Sequence, residues 1–249
     1  MNTYMTNSLR VLVTALIFTA SAANAESRWS VAGGVISVES PYADTDNKTL
    51  GLPMINYTGE RLTLKGYMLD YKLLGDEGLN WSVILEPGQF FDSTDSDNVA
   101  IKALNERKMS LYAGTKVSYA ASFGRVSASV SHDILGNGDG AKFKTDYSYP
   151  VKLTKELMLA PFVGVEINSS QLSNYYYGVA EGESSTFDAY ELSSTVNYNI
   201  GLLATYKINK NLNVNALVKY HQLDADIEDS PIIDTDNLTT AMMSITYHF

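Results

Sequence analysis

Three histidines, a set of loop carboxylates and one Ser-His-Asp triplet are the side chains of this 249-residue chain whose types suit chemistry. Ser131-His132-Asp133 reads as nucleophile, base and orienting acid in consecutive positions. Contiguity argues against that role. On an extended strand neighbours point to opposite faces, so His132 sides with Val130 and Ile134 while Ser131 and Asp133 share the other face. An interfacial histidine is a better reading of His132 than a general base. His221 and His248 fall on the inward faces of successive strands but at opposite ends, on the order of 20 Å apart at ~3.3 Å per residue, too far to share a metal or a proton. The sequence holds no G-x-S-x-G elbow, metal-ligand spacing or phosphate loop. No catalytic, cofactor-binding or metal-binding residue is therefore assigned, and the chain reads as a non-enzyme.

The acids Asp92, Asp95, Asp97, Glu181, Glu183, Asp188, Asp226, Glu228 and Asp229 lie in polar stretches and would suit divalent cations beside an anionic lipid layer. Their spacing lacks the glycine-centred ligand order of a calcium loop. Solvation, with charge repulsion holding the loops open, is the simpler reading.

What must position these side chains is a series of strands. The chain ends with Ala241, Met243, Ile245, Tyr247 and Phe249 alternating with Thr240, Met242, Ser244, Thr246 and His248, so it stops on an aromatic residue inside a strand pattern. A bare terminal strand with one apolar face invites aggregation, and closure into a barrel removes that edge. In a bilayer such a barrel turns apolar residues to lipid and polar ones to a wet lumen. Alternation of this kind recurs through 28–38, 81–85, 109–119, 125–133, 143–149, 157–167, 196–206 and 212–220. Polar loops near 91–107, 169–191 and 224–236 fall at one end, and tight turns near 121, 154 and 210 at the other. This is the asymmetry of an outer-membrane barrel, with short periplasmic turns and long extracellular loops. A soluble β-sandwich, the main structural competitor, has no reason to sort loops by length.

Counting from Arg28 gives eleven candidates, and single-chain bacterial barrels have even strand numbers. Leu50 to Tyr57 contains Pro53, and the piece after it is shorter than the ~9–11 residues a spanning strand needs. Ten spanning strands are favoured, with residues 50–65 as a short hairpin at the rim or in the lumen, and twelve are the alternative. The apolar phase slips after Gly66, which signals a bulge or a chain break. The lumen would carry Arg125, Lys116, Lys142, Lys144, Lys207, Asp146 and Glu166. In a small barrel such charges pair and fill the interior more readily than they conduct.

Arg10, the apolar run Val11 to Ala20 and Ala23-Asn24-Ala25 form a secretory leader, with cleavage expected after Ala25. Residues 1–25 are thus a signal peptide and 26–249 a single barrel domain. Cleavage would remove one basic residue and no acidic one, taking the net charge from −10 to −11, which argues against nucleic acid as a partner. The chain has no cysteine, so a closed hydrogen-bonded barrel must replace disulfides as the source of stability. The seventeen tyrosines suit aromatic girdles at two membrane interfaces.

LPMINYTGERLTL at Leu52 to Leu64, SHDILGNGDGAKFKTDYSY at Ser131 to Tyr149, NYYYGV at Asn174 to Val179 and DSPIID at Asp229 to Asp234, in this order, resemble the MltA-interacting protein/outer-membrane protein V (MipA/OmpV) family. SHDILGNGDG is closer to the OmpV branch. The resemblance implies a monomeric, non-enzymatic barrel in the bacterial outer membrane, exported through the periplasm, in contact with outer-membrane lipid and lipopolysaccharide. In the MipA branch it implies a scaffold joining a lytic transglycosylase to a murein synthase. Pro53, Tyr57, Tyr176, Tyr177, Gly178, Val179, Ser230 and Pro231 occupy family-motif positions, with loop folding a better account of the loop members than partner contact. Ile245, Tyr247 and Phe249 resemble the signal read by the barrel-assembly machinery during insertion. A small pore or a surface adhesin acting through its outer loops is the alternative function, and a hydrolase is disfavoured by the histidine geometry.

Overall fold

The computed structural model describes residues 28–249 apart from 77 and 90, so the leader expected at 1–25 lies outside the described residues. Strand faces are inverted relative to a water-soluble protein. Val31, Val35, Val130, Ile200, Val218, Met243 and Ile245 project outward and are exposed, while Ser30, Ser82, Ser118, Ser131, Asn197 and Ser244 face inward and are buried. That inversion is the pattern of a wall with lipid outside and polar groups within.

The strands run in chain order: β1 (Trp29–Val38), β2 (Lys48–Thr58), β3 (Leu62–Lys65), β4 (Met68–Asp76), β5 (Leu79–Pro87), β6 (Leu111–Ala121) and β7 (Gly124–Asp133). The second half holds β8 (Ala141–Ser148), β9 (Val151–Lys152), β10 (Leu157–Asn168), β11 (Thr195–Lys207), β12 (Leu212–Gln222) and β13 (Asn237–His248). Each pairs antiparallel with the next, and β13 closes on β1 with Ser30 opposite His248. The exception is β9, which continues the line of β8 beyond Pro150 in unchanged register against β10, while β10 itself pairs with both β8 and β11. The closed ring therefore has twelve strands.

Twelve replaces the ten favoured from sequence, for a reason that lies in Pro53. Thr58 donates its amide to Arg28, which sets the ladder so that even-numbered residues of β2 bond to β1. Pro53 is odd, so its missing N–H faces the other edge, where proline is tolerated. β2 therefore spans, and an antiparallel ring needs a return strand. β3 supplies it with only four residues. The phase slip after Gly66 is the β3–β4 turn, and a separate irregularity follows between Lys72 and Leu74. Because β3 is short, β2 pairs with it only from Asn56 to Thr58. The outer part of that β2 edge has no strand beside it.

Short turns at 59–61, 122–123, 153–156 and 208–211 share one end with Arg28, the first described residue, and Phe249. The connections 39–47, 88–110, 134–140, 169–194 and 223–236 share the other. These connections are folded, which corrects the reading of charge-separated open loops. They carry the protein's main cluster of buried apolar side chains, including Tyr42, Phe91, Ile101, Leu172, Tyr176, Ile227 and Ile232.

Candidate functional site

The cap is built around α2 (Ser170–Tyr177), which starts where the Ser169 hydroxyl accepts the Leu172 amide 3.4 Å away. Leu172 and Tyr176, four apart, share its buried face. The helix packs onto the 134–140 connection, where Gly136 adopts φ +69° and a side chain at Gly140 would stand 2.6 Å from the backbone nitrogen and Cβ of Leu172. Asp133 organises that connection by accepting the Ser110 hydroxyl at 3.0 Å and the amides of Leu135 and Gly138 at 3.0 and 2.9 Å. It is a turn-forming carboxylate. His132 faces outward, away from inward-facing Ser131 and Asp133, so the triplet does not converge.

Tyr176, Tyr177, Gly178 and Ser230, among the family-motif residues, make hydrogen bonds that tie the cap together. The Tyr176 hydroxyl donates to the Gln89 carbonyl at 2.8 Å, and its own carbonyl accepts the Tyr42 hydroxyl at 2.9 Å. The Tyr177 carbonyl accepts the Ser230 hydroxyl at 2.6 Å. Tyr42 stacks on Phe91 with centroids 3.7 Å apart. Val179 is buried, and Pro231 is exposed beside the buried Ser230. Burial holds the phenols of Tyr42, Tyr176 and Tyr177 above their ordinary pKa.

Arg107 and Glu183 form a buried ion pair within the cap. Arg107 Nη1 stands 2.7 Å from Glu183 Oε1, with the two side chains 7% and 3% exposed. Arg107 also donates to the carbonyls of Gly178 and Asn105, and Glu183 accepts the amides of Ala180 and Asn105. Burial alone would raise the Glu183 carboxyl, but the Arg107 guanidinium and the two amides outweigh it and hold the carboxyl below its ordinary range. Glu183 is thus a structural acid, where the sequence suggested a solvated one. Asp95 pairs with Lys48, and Asp92 caps a short turn by accepting the Thr94 amide.

Beneath the cap, Glu86 lies 2.8 Å from Lys142 and 3.0 Å from Lys144, and Lys144 reaches Glu166 at 3.7 Å. Lys142 also sits over the Tyr112 ring, 3.7 Å from its centroid. This charged layer divides the lumen. Above it a chamber of about 200 Å³ lies against Tyr176, Tyr177 and His221. Below it a cavity of about 590 Å³ extends to the short-turn end at Glu60, Arg61 and Arg125. Lys116 pairs with Asp70 on its wall. Lys207 lies at the exposed short-turn end of β11, away from this cavity.

His221 lines the upper chamber, and His248 accepts or shares a hydrogen with the Asn213 amide group 3.0 Å away at the far end. His221 is opposite Leu238, ten positions before His248 on β13, so the two are about 33 Å apart along the strand at ~3.3 Å per residue, farther than the sequence suggested. Among the described residues no group of three or more acidic or histidine side chains is placed to hold a metal. Pro53 faces outward with its carbonyl accepting the Tyr67 hydroxyl at 3.2 Å, and Tyr57 packs on Trp29 at 4.6 Å near the short-turn end. Ile245 and Tyr247 line the outward face of β13, and Phe249, just past its end, is exposed and packs edge to face on Tyr247 at 5.4 Å.

The description "MltA-interacting protein MipA" belongs to the family whose model matches residues 31–249. MltA-interacting protein of Escherichia coli K12 is 29% identical over 248 residues, 97% of this chain and 99% of the relative. Outer membrane protein OmpV of Vibrio cholerae is 29% identical over 227 residues, 90% of this chain and 88% of the relative. Among solved structures, an outer membrane channel from Pseudomonas putida F1 superposes with a TM-score of 0.44 at 10% identity, over 92% of this chain and 100% of that one.

Proposed function

Because the chain belongs to the MltA-interacting protein (MipA) family and is an outer-membrane β-barrel of the MipA/OmpV type, we propose that it is a non-enzymatic scaffold holding murein-processing enzymes at the inner face of the outer membrane. The observation that carries this reading is the match to a relative named for its interaction with MltA, across nearly the full length of both chains. A lytic transglycosylase is the first partner and a murein synthase the second.

Only the short-turn end faces the periplasm, so docking must use its turns and the mouth between them. Phe123, Leu153 and Ile208 are exposed there, in three different turns. That surface is small, and a small interface binds weakly unless the partner is held beside it. Anchoring both to one membrane raises their effective concentration, so weak contact suffices. A photo-crosslinker placed at Ser122, Lys155 or Lys210 tests this. Capture of a lytic transglycosylase or a murein synthase is expected, and repeated capture without any murein enzyme would overturn the scaffold.

Export and assembly form part of the same reading. The leader is cleaved after Ala25, and the barrel-assembly machinery reads Ile245, Tyr247 and Phe249. N-terminal sequencing should begin at Glu26, and Phe249→Ala should lower the inserted fraction; a start elsewhere or unaltered insertion counts against each.

A further inference from the structure

Cations outnumber carboxylates along the wall of the 590 Å³ cavity, and the excess collects at its periplasmic half. Lys116 is matched by Asp70, and Lys144 by Glu86 and Glu166. Glu60, at the rim, is turned to Arg28 at 3.4 Å. Arg61, Lys65, Lys72 and Arg125 line the same space, and among the described residues none has a carboxylate within ion-pair distance. Composition does not account for this, because the whole chain carries a net charge of −10. Like charges gathered on the wall of one cavity repel, and low-dielectric walls focus their field into the space between them.

The remaining geometry is that of a small-molecule site. The volume lies within the ~300–1,000 Å³ of such pockets. Ser118, Ser127, Ser129 and Asn80 add hydrogen-bonding groups to the wall. Two guanidinium forks match the planar oxygens of carboxylate and phosphate. The cap and the charged layer stand between the cavity and the outer end, and the mouth at the short-turn end is the entrance that neither of them blocks.

We propose that the periplasmic half of the lumen binds a small anion bearing carboxylate or phosphate groups, held by Arg61, Lys72 and Arg125 with Lys65 at the edge. The site stands apart from the scaffold reading and does not need it. A free periplasmic solute and a lipid headgroup present the same chemistry, and the test separates them. The mature protein in neutral detergent at low ionic strength is titrated calorimetrically with citrate, with pyrophosphate, with monomeric short-chain phosphatidylglycerol, and with sucrose as the uncharged control.

Binding of citrate or pyrophosphate assigns a soluble anion, and binding of phosphatidylglycerol alone assigns a headgroup. In either case Arg61→Gln/Arg125→Gln should weaken binding roughly tenfold or more, since charge-assisted hydrogen bonds are lost, and Lys155→Gln, in an exposed turn at the same end, should not. Heat-modifiable migration in gels shows that each variant is a folded barrel. Lys72→Gln gives an independent reading if the double variant fails to fold. No anion binding above the sucrose level, or equal loss in Lys155→Gln, would overturn the site.

Discussion

Replacing Glu183 by alanine should unlatch the cap while leaving the barrel closed. The substitution strands the Arg107 guanidinium, whose side chain is 7% exposed and whose Nε already lacks a hydrogen-bond partner. It also frees the amides of Ala180 and Asn105. Breaking a buried pair by removing one partner costs about 3–5 kcal/mol. At about 1.4 kcal/mol per tenfold, the open form of the cap should rise roughly 100- to 4,000-fold. Amide hydrogen exchange measures this directly, because each factor appears as faster exchange in α2 and in the 88–110 connection. Strand amides of β6, β7 and β11 should keep their protection. Glu181→Ala, an exposed neighbour, serves as control. Removing both charges with Arg107→Met/Glu183→Leu should restore much of the protection, since no buried charge is then left alone. Unchanged α2 exchange in Glu183→Ala, or strands that open with the helix, would refute the latch.

The same pair fixes the acid dependence of the cap. The Glu183 carboxyl is held below its ordinary value in the folded state, so its contribution is fully present above the ordinary carboxylate pKa of about 4.3. It is lost as pH falls through the lowered folded value. The buried phenols work in the opposite sense. Tyr42, Tyr176 and Tyr177 are raised by burial, so their contribution is intact below the ordinary phenol pKa of about 10 and is lost as pH rises through the raised values. Protection in α2, measured relative to the intrinsic amide exchange rate at each pH, should therefore fall at both extremes, and Glu183→Gln should remove only the acidic limb.

Two further substitutions probe the elements that seat the cap and the wall. Gly140→Val places a side chain against the Leu172 backbone, which cannot rotate away, and should cost the cap about 1–3 kcal/mol; α2 exchange equal to wild type would contradict it. Thr49, Gly51 and Ile55 turn backbone groups toward the unpaired edge of β2, and open sheet edges are tolerated at membrane depth only where water or protein covers them. Gly51→Cys in liposomes should react with a membrane-impermeant thiol reagent while Met243→Cys, at the same level two strands away, should not; equal protection of the two would show a sealed wall.

The barrel was legible because period-2 alternation is a local signal. Val196 to Tyr206 or Leu212 to Tyr220 each declare a strand without help from any other residue. The sorting of loops by length then fixed the ends. β3 was not legible as a wall strand, because only ring closure requires its four residues. The cap was missed for a different reason. Its connections are polar by composition, yet Tyr42, Tyr176 and Ile232 meet from three of them, and nothing local in any one announces the others. One signal was available: Ser169 ahead of Leu172 and Tyr176 is a capped helical turn with one apolar face. The pairing of Glu183 with Arg107 had no such marker, and an acid in a glycine- and serine-rich loop reads as solvated.

The placement of the apolar core follows from the two solvents this chain meets. Within the bilayer, lipid outside is as apolar as valine or isoleucine, so burying those side chains in the wall would gain little. Apart from the unpaired outer edge of β2, the wall is held by its hydrogen-bond ladder, which has no water to exchange with. Beyond the membrane surface water returns, and burial becomes favourable again. That is where the buried tyrosines, isoleucines and leucines collect. The two parts are therefore stabilised by different forces, and a change that removes one need not disturb the other. A ladder of this kind has no partly open state of low cost, whereas a small apolar cluster over a wet mouth does. The cap is accordingly the part of the outer end that opens most readily, while the cation-lined cavity below the charged layer extends to the short-turn end on the far side of that layer.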